Sequence, residues 1–296
     1  MRKVIFSILI ALAPLSAAAQ TALLPLEVKS EPEVVELRFA KENMVKSQAT
    51  ERNYRIQTAL FGPEPESGYP VLFVLDGDAY FSTVASFAQG LANSPAKDTT
   101  MSLLIVGVGY SADNLLDIKQ RSLDYTPPLR EDATDEERSK YGQGDRFYQF
   151  LNQELMDYLA TQYTLDLSQL AIYGHSFGAL YGLYELLHKD SQFTYFVLSS
   201  PSIWWHDKRI LDFVDGWQQA QNKYVRITVG ELEAVAARHD TRRRSRDMTG
   251  HAENLYQQLK AEAVEAEFAI YPDESHGTVA YKSVLDSLKF LQSKLR

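Results

Sequence analysis

Leu170-Ala171-Ile172-Tyr173-Gly174-His175-Ser176-Phe177-Gly178 is the stretch on which the fold turns. Its first four residues are a short apolar run, the next five match G-x-S-x-G, and a helical run from Ala179 to His188 follows. Strand, tight turn and helix in that order lift a serine above a sheet on a strained elbow. Glycine suits both outer positions of the motif, where a side chain would crowd the turn or its neighbours. The helix N-terminus behind the serine favours developing negative charge. A chance G-x-S-x-G in a loop has no such frame, so the context predicts Ser176 as a nucleophile.

Further apolar runs lie on both sides: Val71 to Leu75, Leu103 to Val106, Tyr195 to Leu198, Val225 to Val229 and Phe268 to Tyr271. Continuous runs of this kind suit strands buried on both faces of a parallel sheet. Helical patterns lie between several of them. Phe147, Phe150, Leu151, Leu155, Tyr158 and Leu159 share one helical face, and 252–263 also reads as helix. Strands alternating with helices predict an α/β fold, a mostly parallel, doubly wound sheet with helices on both faces. Ahead of it, residues 33–39 and 54–60 alternate as half-buried strands, antiparallel to each other. Two prolines and two glycines in 61–68 mark a connector. The aperiodic, charge-rich segment 111–143 falls where α/β folds place site loops.

The 296 residues, 45% hydrophobic and 23% charged, suffice for one large core. Residues 1–19 do not belong to it. Arg2 and Lys3, the apolar run Val4 to Ala13 and the closing Ala17-Ala18-Ala19 read as a signal peptide cleaved after Ala19. That leaves 20–296 as a single exported domain, periplasmic or secreted. The apolar run falls short of the roughly 20 residues that span a bilayer, so no stable membrane insertion is expected. The chain has no cysteine, which excludes thiol catalysis and cysteine-based metal sites. Its net charge of −9 argues against a nucleic-acid partner.

A serine nucleophile needs a base. In this arrangement the chain order is serine, acid, histidine, and His276 follows the last expected strand. His175 lies inside the elbow, His188 on its helix, and His206, His239 and His251 all precede that strand. A carboxylate after the strand Val225 to Val229 would orient the imidazole. Glu233 is favoured because the turn starts at Gly230 and needs a few residues to swing a side chain across; Glu231 and Asp240 are its rivals. The oxyanion would be held by the backbone N–H of Phe177 and by one from the Asp76–Tyr80 loop, for which Asp78 is chosen. No cofactor or metal is implied.

The chain is similar to the esterase family of α/β-hydrolases that includes the periplasmic enterobactin and salmochelin trilactone esterases, esterase D and feruloyl esterases. The segments carrying the resemblance are Tyr69–Asp78, Asp124-Tyr125-Thr126-Pro127, Gly174–Ala179, Ser200-Pro201-Ser202-Ile203-Trp204-Trp205, Val229–Glu233 and His276-Gly277. The resemblance implies an α/β-hydrolase that cleaves esters, with Ser176 and His276 carried over directly. In the siderophore branch a poorly placed acid can leave a Ser–His dyad.

The expected partner is a small-molecule ester, preferably a catecholate siderophore ester, with the ferric siderophore as one candidate and the need for iron left open. Arg121 and Arg130 flank the Asp124–Pro127 segment and could reach a catecholate. Trp204 and Trp205 could stack on an aromatic acyl group, or pack under the rim of the site. Arg238, Arg242, Arg243, Arg244 and Arg246 form a basic cluster that could steer an anion, or a solvated helix face. Rival readings are a general carboxylesterase, an acyltransferase, and a non-catalytic binder on the same scaffold.

Overall fold

The apolar runs line up as neighbouring strands of one eight-stranded sheet, the last of them, Phe268 to Tyr271, at its half-exposed edge. The computed structural model describes residues 31, 34–94, 101–110, 114–188, 190–214 and 222–295; the expected signal peptide lies outside them. The chain divides into Met1–Glu36 and Leu37–Arg296, and the second unit carries the sheet. Its strands are β1 (Ala40–Lys46), β2 (Asn53–Phe61), β3 (Tyr69–Leu75), β4 (Leu103–Tyr110), β5 (Leu165–His175), β6 (Tyr195–Ser199), β7 (Tyr224–Gly230) and β8 (Glu265–Tyr271). They lie side by side as β1-β2-β4-β3-β5-β6-β7-β8. β1, β2 and β4 pair antiparallel, whereas every pairing from β4 through β3 to β8 is parallel.

The helices are α1 (Gly77–Ala92), α2 (Ile118–Asp124), α3 (Asp135–Arg138), α4 (Gly144–Gln149), α5 (Met156–Ala160), α6 (Phe177–Leu187), α7 (Trp205–Lys208), α8 (Glu231–His239), α9 (Thr241–Arg246), α10 (Met248–Ala261) and α11 (Thr278–Lys294). Alternate residues of the buried strands feed two cores. Leu72, Val74, Ile105, Ala171, Tyr173 and Val197 pack with α1 and α11. Phe73, Val106, Ile172, Phe196 and Ile227 pack on the other face with α4, α5, α6 and α10. This is the α/β-hydrolase type of architecture. From β3 the chain first steps to β4 on one side and later to β5 on the other. The carboxyl ends of β3 and β5 therefore flank a topological switch point, the place where such sheets bind ligands.

Two expected elements differ. Of the expected strand 33–39, the described residues 34–39 are not a strand: Val34 and Val35 are 87% and 95% exposed, and the first strand of the sheet, β1, begins at Ala40. β1 reads AKENMVK and is mostly exposed; it is held by its backbone ladder to β2, from Ala40 opposite Ala59 to Lys46 opposite Asn53. A charged edge strand of this kind carries no hydrophobic alternation to read. The helix containing Phe147 to Leu159 is interrupted by a π turn over Phe150–Leu155 between α4 and α5. The added residue per turn brings Asn152 inward with Phe150 and Leu151, where its Nδ2 donates to Glu185 Oε2 at 3.1 Å.

The aperiodic segment contains α2, capped by Asp117, whose carboxylate accepts from the Gln120 N–H at 3.0 Å. Its inward residues include two ionisable groups. Asp124 is fully buried and bonded to Arg52, Tyr54 and Tyr110. Arg121, 7% exposed, points to the end of β3. Among the described residues no helix is long and apolar enough to cross a membrane.

Candidate active site

β5 ends in Gly174-His175, and the chain turns at Ser176 with φ 58° and ψ −111° before entering α6. A Cβ on Gly174 would stand 2.2 Å from the Gly178 backbone, so the turn closes tightly only with glycine there. Asp76 and Ser200, at the ends of β3 and β6, also have positive φ, 54° and 45°. Three non-glycine residues held in this sparsely populated region, at the same edge of adjacent strands, mark a site where the surroundings impose the backbone.

Ser176 Oγ lies 3.1 Å from His276 Nε2, and His276 Nδ1 lies 2.8 Å from Glu233 Oε2. The tautomer follows from the partners. Ionised Glu233 only accepts, so Nδ1 carries the proton and Nε2 is free to accept from the serine hydroxyl. The Glu233 side chain is 3% exposed and the His276 side chain 44%. Glu233 Oε1 accepts from Ser200 Oγ at 2.6 Å and from the Gly230 N–H at 2.9 Å. Burial acts against the charge on Glu233 and is the largest single influence. The hydrogen bond and charge of His276, with the Ser200 and Gly230 donors, together outweigh it and hold the carboxyl below its ordinary value.

Gly230 permits the approach between acid and base. A Cβ there would meet the Glu274 carbonyl oxygen at 2.3 Å, and Leu232 N–H donates to that same oxygen at 3.0 Å. The first turn of α8 is thereby tied to the loop that carries His276. The two rival acids are engaged elsewhere: Glu231 accepts from the Asp273 N–H, and Asp240 caps α9.

A consequence for stability follows from the lowered Glu233. Its ionised form gains partners on folding, so it stabilises above the unfolded carboxyl value, and that contribution is lost as pH falls through the folded one. Denaturant unfolding of wild type and Glu233→Gln is therefore expected to differ most near neutral pH and to converge on acidification. A gap that stays constant down to acid pH would contradict this.

His175 is buried. Its Nε2 stands 2.7 Å from the His276 carbonyl oxygen and its Nδ1 3.2 Å from Tyr80 Oη. A carbonyl only accepts, so Nε2 carries the proton and Nδ1 accepts from the tyrosine. Burial first, then the charges of His276 and Arg121, push the His175 imidazole well below its ordinary value and keep it neutral. The elbow thus grips the backbone of the residue that faces its own serine. Ser202 adds a hydroxyl 3.2 Å from Ser176 Oγ, and its N–H donates to the Ser176 carbonyl at 3.2 Å. Sequence reasoning assigned no role to His175, Ser200 or Ser202. Their only signal was membership in the Gly174–Ala179 and Ser200–Trp205 segments.

The remaining expected residues separate. Phe177 and Asp78 occupy the first turns of α6 and α1, where backbone N–H groups have no intrahelical acceptor. The Asp78 side chain turns away to Arg55 and to the Tyr110 N–H. Arg121 does not reach the substrate space. Its Nε and Nη2 each lie 2.9 Å from an Asp76 carboxylate oxygen, and Nη2 also lies 3.3 Å from the His175 carbonyl. Burial favours its neutral form, but Asp76 overcomes this and raises the guanidinium above its ordinary value. Arg130 is likewise engaged, with Asp212 and the His206 carbonyl. In sequence both arginines flank a site segment; in space each is claimed by a nearer acceptor. Trp204 does line the cavity beside Ser176, a space of about 240 Å³ bounded also by Ser202, Leu232, Met248, Arg243 and Arg246.

Comparison with known proteins gives a consistent picture. The model of the family described as "Putative esterase" matches residues 47–288. The ferri-bacillibactin esterase BesA of Bacillus subtilis is 29% identical over 242 residues, covering 77% of this chain and 80% of its own. The apo-salmochelin esterase of Escherichia coli O6:H1 is 27% identical over 245 residues, covering 80% and 74%. Among solved structures, the BES protein from Bacillus cereus superposes with a TM-score of 0.77 at 26% identity, covering 88% of this chain and 99% of that one.

Proposed function

This chain belongs to the family described as "Putative esterase", and on that premise we propose that it is an exported serine esterase cleaving a catecholate siderophore ester through an acyl-serine intermediate. The observation that carries the reading is the continuous Ser176–His276–Glu233 hydrogen-bond chain, with separations of 3.1 and 2.8 Å. His276 Nε2 takes the Ser176 proton as Oγ attacks the ester carbonyl carbon. The oxyanion that forms is held by backbone N–H groups, for which Phe177 and Asp78 are the candidates. His276 then returns the proton to the departing alkoxide. In the second half it deprotonates a water that attacks the acyl-serine, releasing the acid and restoring Ser176.

Relatives named as esterases of bacillibactin and salmochelin support a siderophore ester as substrate. Their names divide between an iron-charged and an iron-free form, so likeness to them does not choose between the two. A cavity of about 240 Å³ is small for a whole three-armed ester, so only part of the molecule enters it. The reading of residues 1–19 as a signal peptide supports export.

Hydrolysis of a catecholate trilactone beside a short p-nitrophenyl ester, with Ser176→Ala as control, tests the reading. Preference for the trilactone, lost in the variant, is expected. Cleavage of the simple ester alone would leave a general carboxylesterase.

A further inference from the structure

One wall of the cavity beside Ser176 is basic and aromatic. The Arg246 guanidinium lies over the Trp204 indole, 4.3 Å from the ring centroid, and Arg243 lines the same space. The two arginines differ from Arg121 and Arg130, which carboxylates claim at close range. Among the described residues no carboxylate lies within ion-pair distance of Arg246, and the Arg243 contact with Asp240 is exposed and 3.6 Å long. Partial burial first, then the charges of Arg242 and Arg243, press Arg246 toward its neutral form; Asp240 opposes them. Cations crowded together in a chain of net charge −9 favour an anion beside them. The remaining wall contributes Leu232, Ala236 and Met248, which suit an apolar ring. A guanidinium stacked on an indole presents a flat second face for another ring, and its edge N–H groups for oxygen.

We propose that Arg246, Arg243 and Trp204 form an anion-selecting subsite for the aryl acyl group, so that an ester whose aryl group carries negative charge is taken in preference to its neutral counterpart. Only the identity of that ester rests on the function proposed above. A free catechol is a phenol and is neutral at pH 7, whereas metal coordination strips its protons and makes it anionic. For a catecholate siderophore the subsite therefore selects the iron-charged form over the iron-free one. Iron here is cargo of the substrate and needs no ligand from the protein.

The test separates binding from turnover. Calorimetry on the Ser176→Ala protein, which keeps the ester intact, gives Kd for p-nitrophenyl benzoate and for its 4-carboxylate. The anionic ester is expected to bind about tenfold tighter, from one charge-assisted contact. Adding Arg246→Gln is expected to bring the two Kd values within about twofold, whereas Arg246→Lys retains part of the preference because it keeps the charge but not the planar fork. Raised salt should shrink the wild-type ratio. Equal binding of the two esters, or a ratio that survives Arg246→Gln, overturns the subsite. In parallel, ferric and metal-free trilactones are offered to the wild-type enzyme. Faster cleavage of the ferric form is expected. Failure to cleave either removes the siderophore reading, while the Kd ratio still decides the subsite; faster cleavage of the metal-free form overturns the selection by charge.

Discussion

Replacing Ser176 by alanine is expected to lower kcat by about 10⁴- to 10⁶-fold and to leave the fold intact. Ser202 and Ser275 also line the cavity, but the Ser275 hydroxyl is bonded to Thr278 and neither serine is bonded to His276 Nε2. Ser202 Oγ stands 3.2 Å from Ser176 Oγ, but the group that would activate a serine, His276 Nε2, is bonded to Ser176. Stability separates the chemical role from the conformational one. At φ 58° and ψ −111° any side chain is strained, and this residue holds that conformation only because the elbow demands it. Ser176→Gly is therefore expected to be as inactive as Ser176→Ala, yet more stable than it by about 1–2 kcal/mol. Burst kinetics with a p-nitrophenyl ester and thermal melts of both variants measure the two effects. Residual turnover of a tenth of wild type in either variant would place the nucleophile elsewhere; equal melting of the two would remove the strain.

The largest expected effect on stability comes from Arg121. Its guanidinium forms a two-pronged ion pair with Asp76, and the two residues are 7% and 2% exposed. Arg121→Ala strands a buried carboxylate and is expected to cost about 3–5 kcal/mol in unfolding free energy. Arg121→Ala combined with Asp76→Ala removes both charges and should recover part of that loss, since the penalty belongs to the unpaired ion more than to the missing bond. Activity is expected to fall with stability. Asp76 ends β3 immediately before α1, its N–H donates to Tyr125 Oη at 3.1 Å, and Arg121 also reaches the His175 carbonyl. One side chain from α2 thus braces both the loop after β3 and the elbow after β5. Urea unfolding of the single and double variants gives the comparison. A double variant less stable than Arg121→Ala alone would mean that Asp76 stabilises the loop without its partner.

Much of this was legible from the chain because burial leaves a periodic trace. Strands covered on both faces must be apolar throughout, and β3 to β7 contain the runs from which they are expected. The elbow was legible for a related reason: a tight turn between strand and helix needs Gly174, and its nucleophile must follow at a set distance. His276 and Glu233 could be nominated because strand order brings the ends of β5, β7 and β8 to one edge of the sheet. Choosing among Glu233, Glu231 and Asp240 was a matter of how far a turn swings, and here the acid bonded to His276 is Glu233.

Partner choice left no such trace. Arg121 and Arg246 are the same residue type, yet one is locked to a buried aspartate while the other lies over Trp204 in the cavity. β1 escaped because an edge strand is held by backbone bonds, which any sequence supplies. His175, Ser200 and Ser202 escaped because their roles are contacts across 101, 33 and 26 residues. The sequence by itself determined the buried sheet, the elbow and the order of the reacting groups, since these depend on local pattern and chain direction. Only the tertiary structure decided which charges pair, which stand open to a ligand, and which hydroxyls and carbonyls hold the base in place, because a hydrogen bond depends on distances that exist only once remote segments have packed.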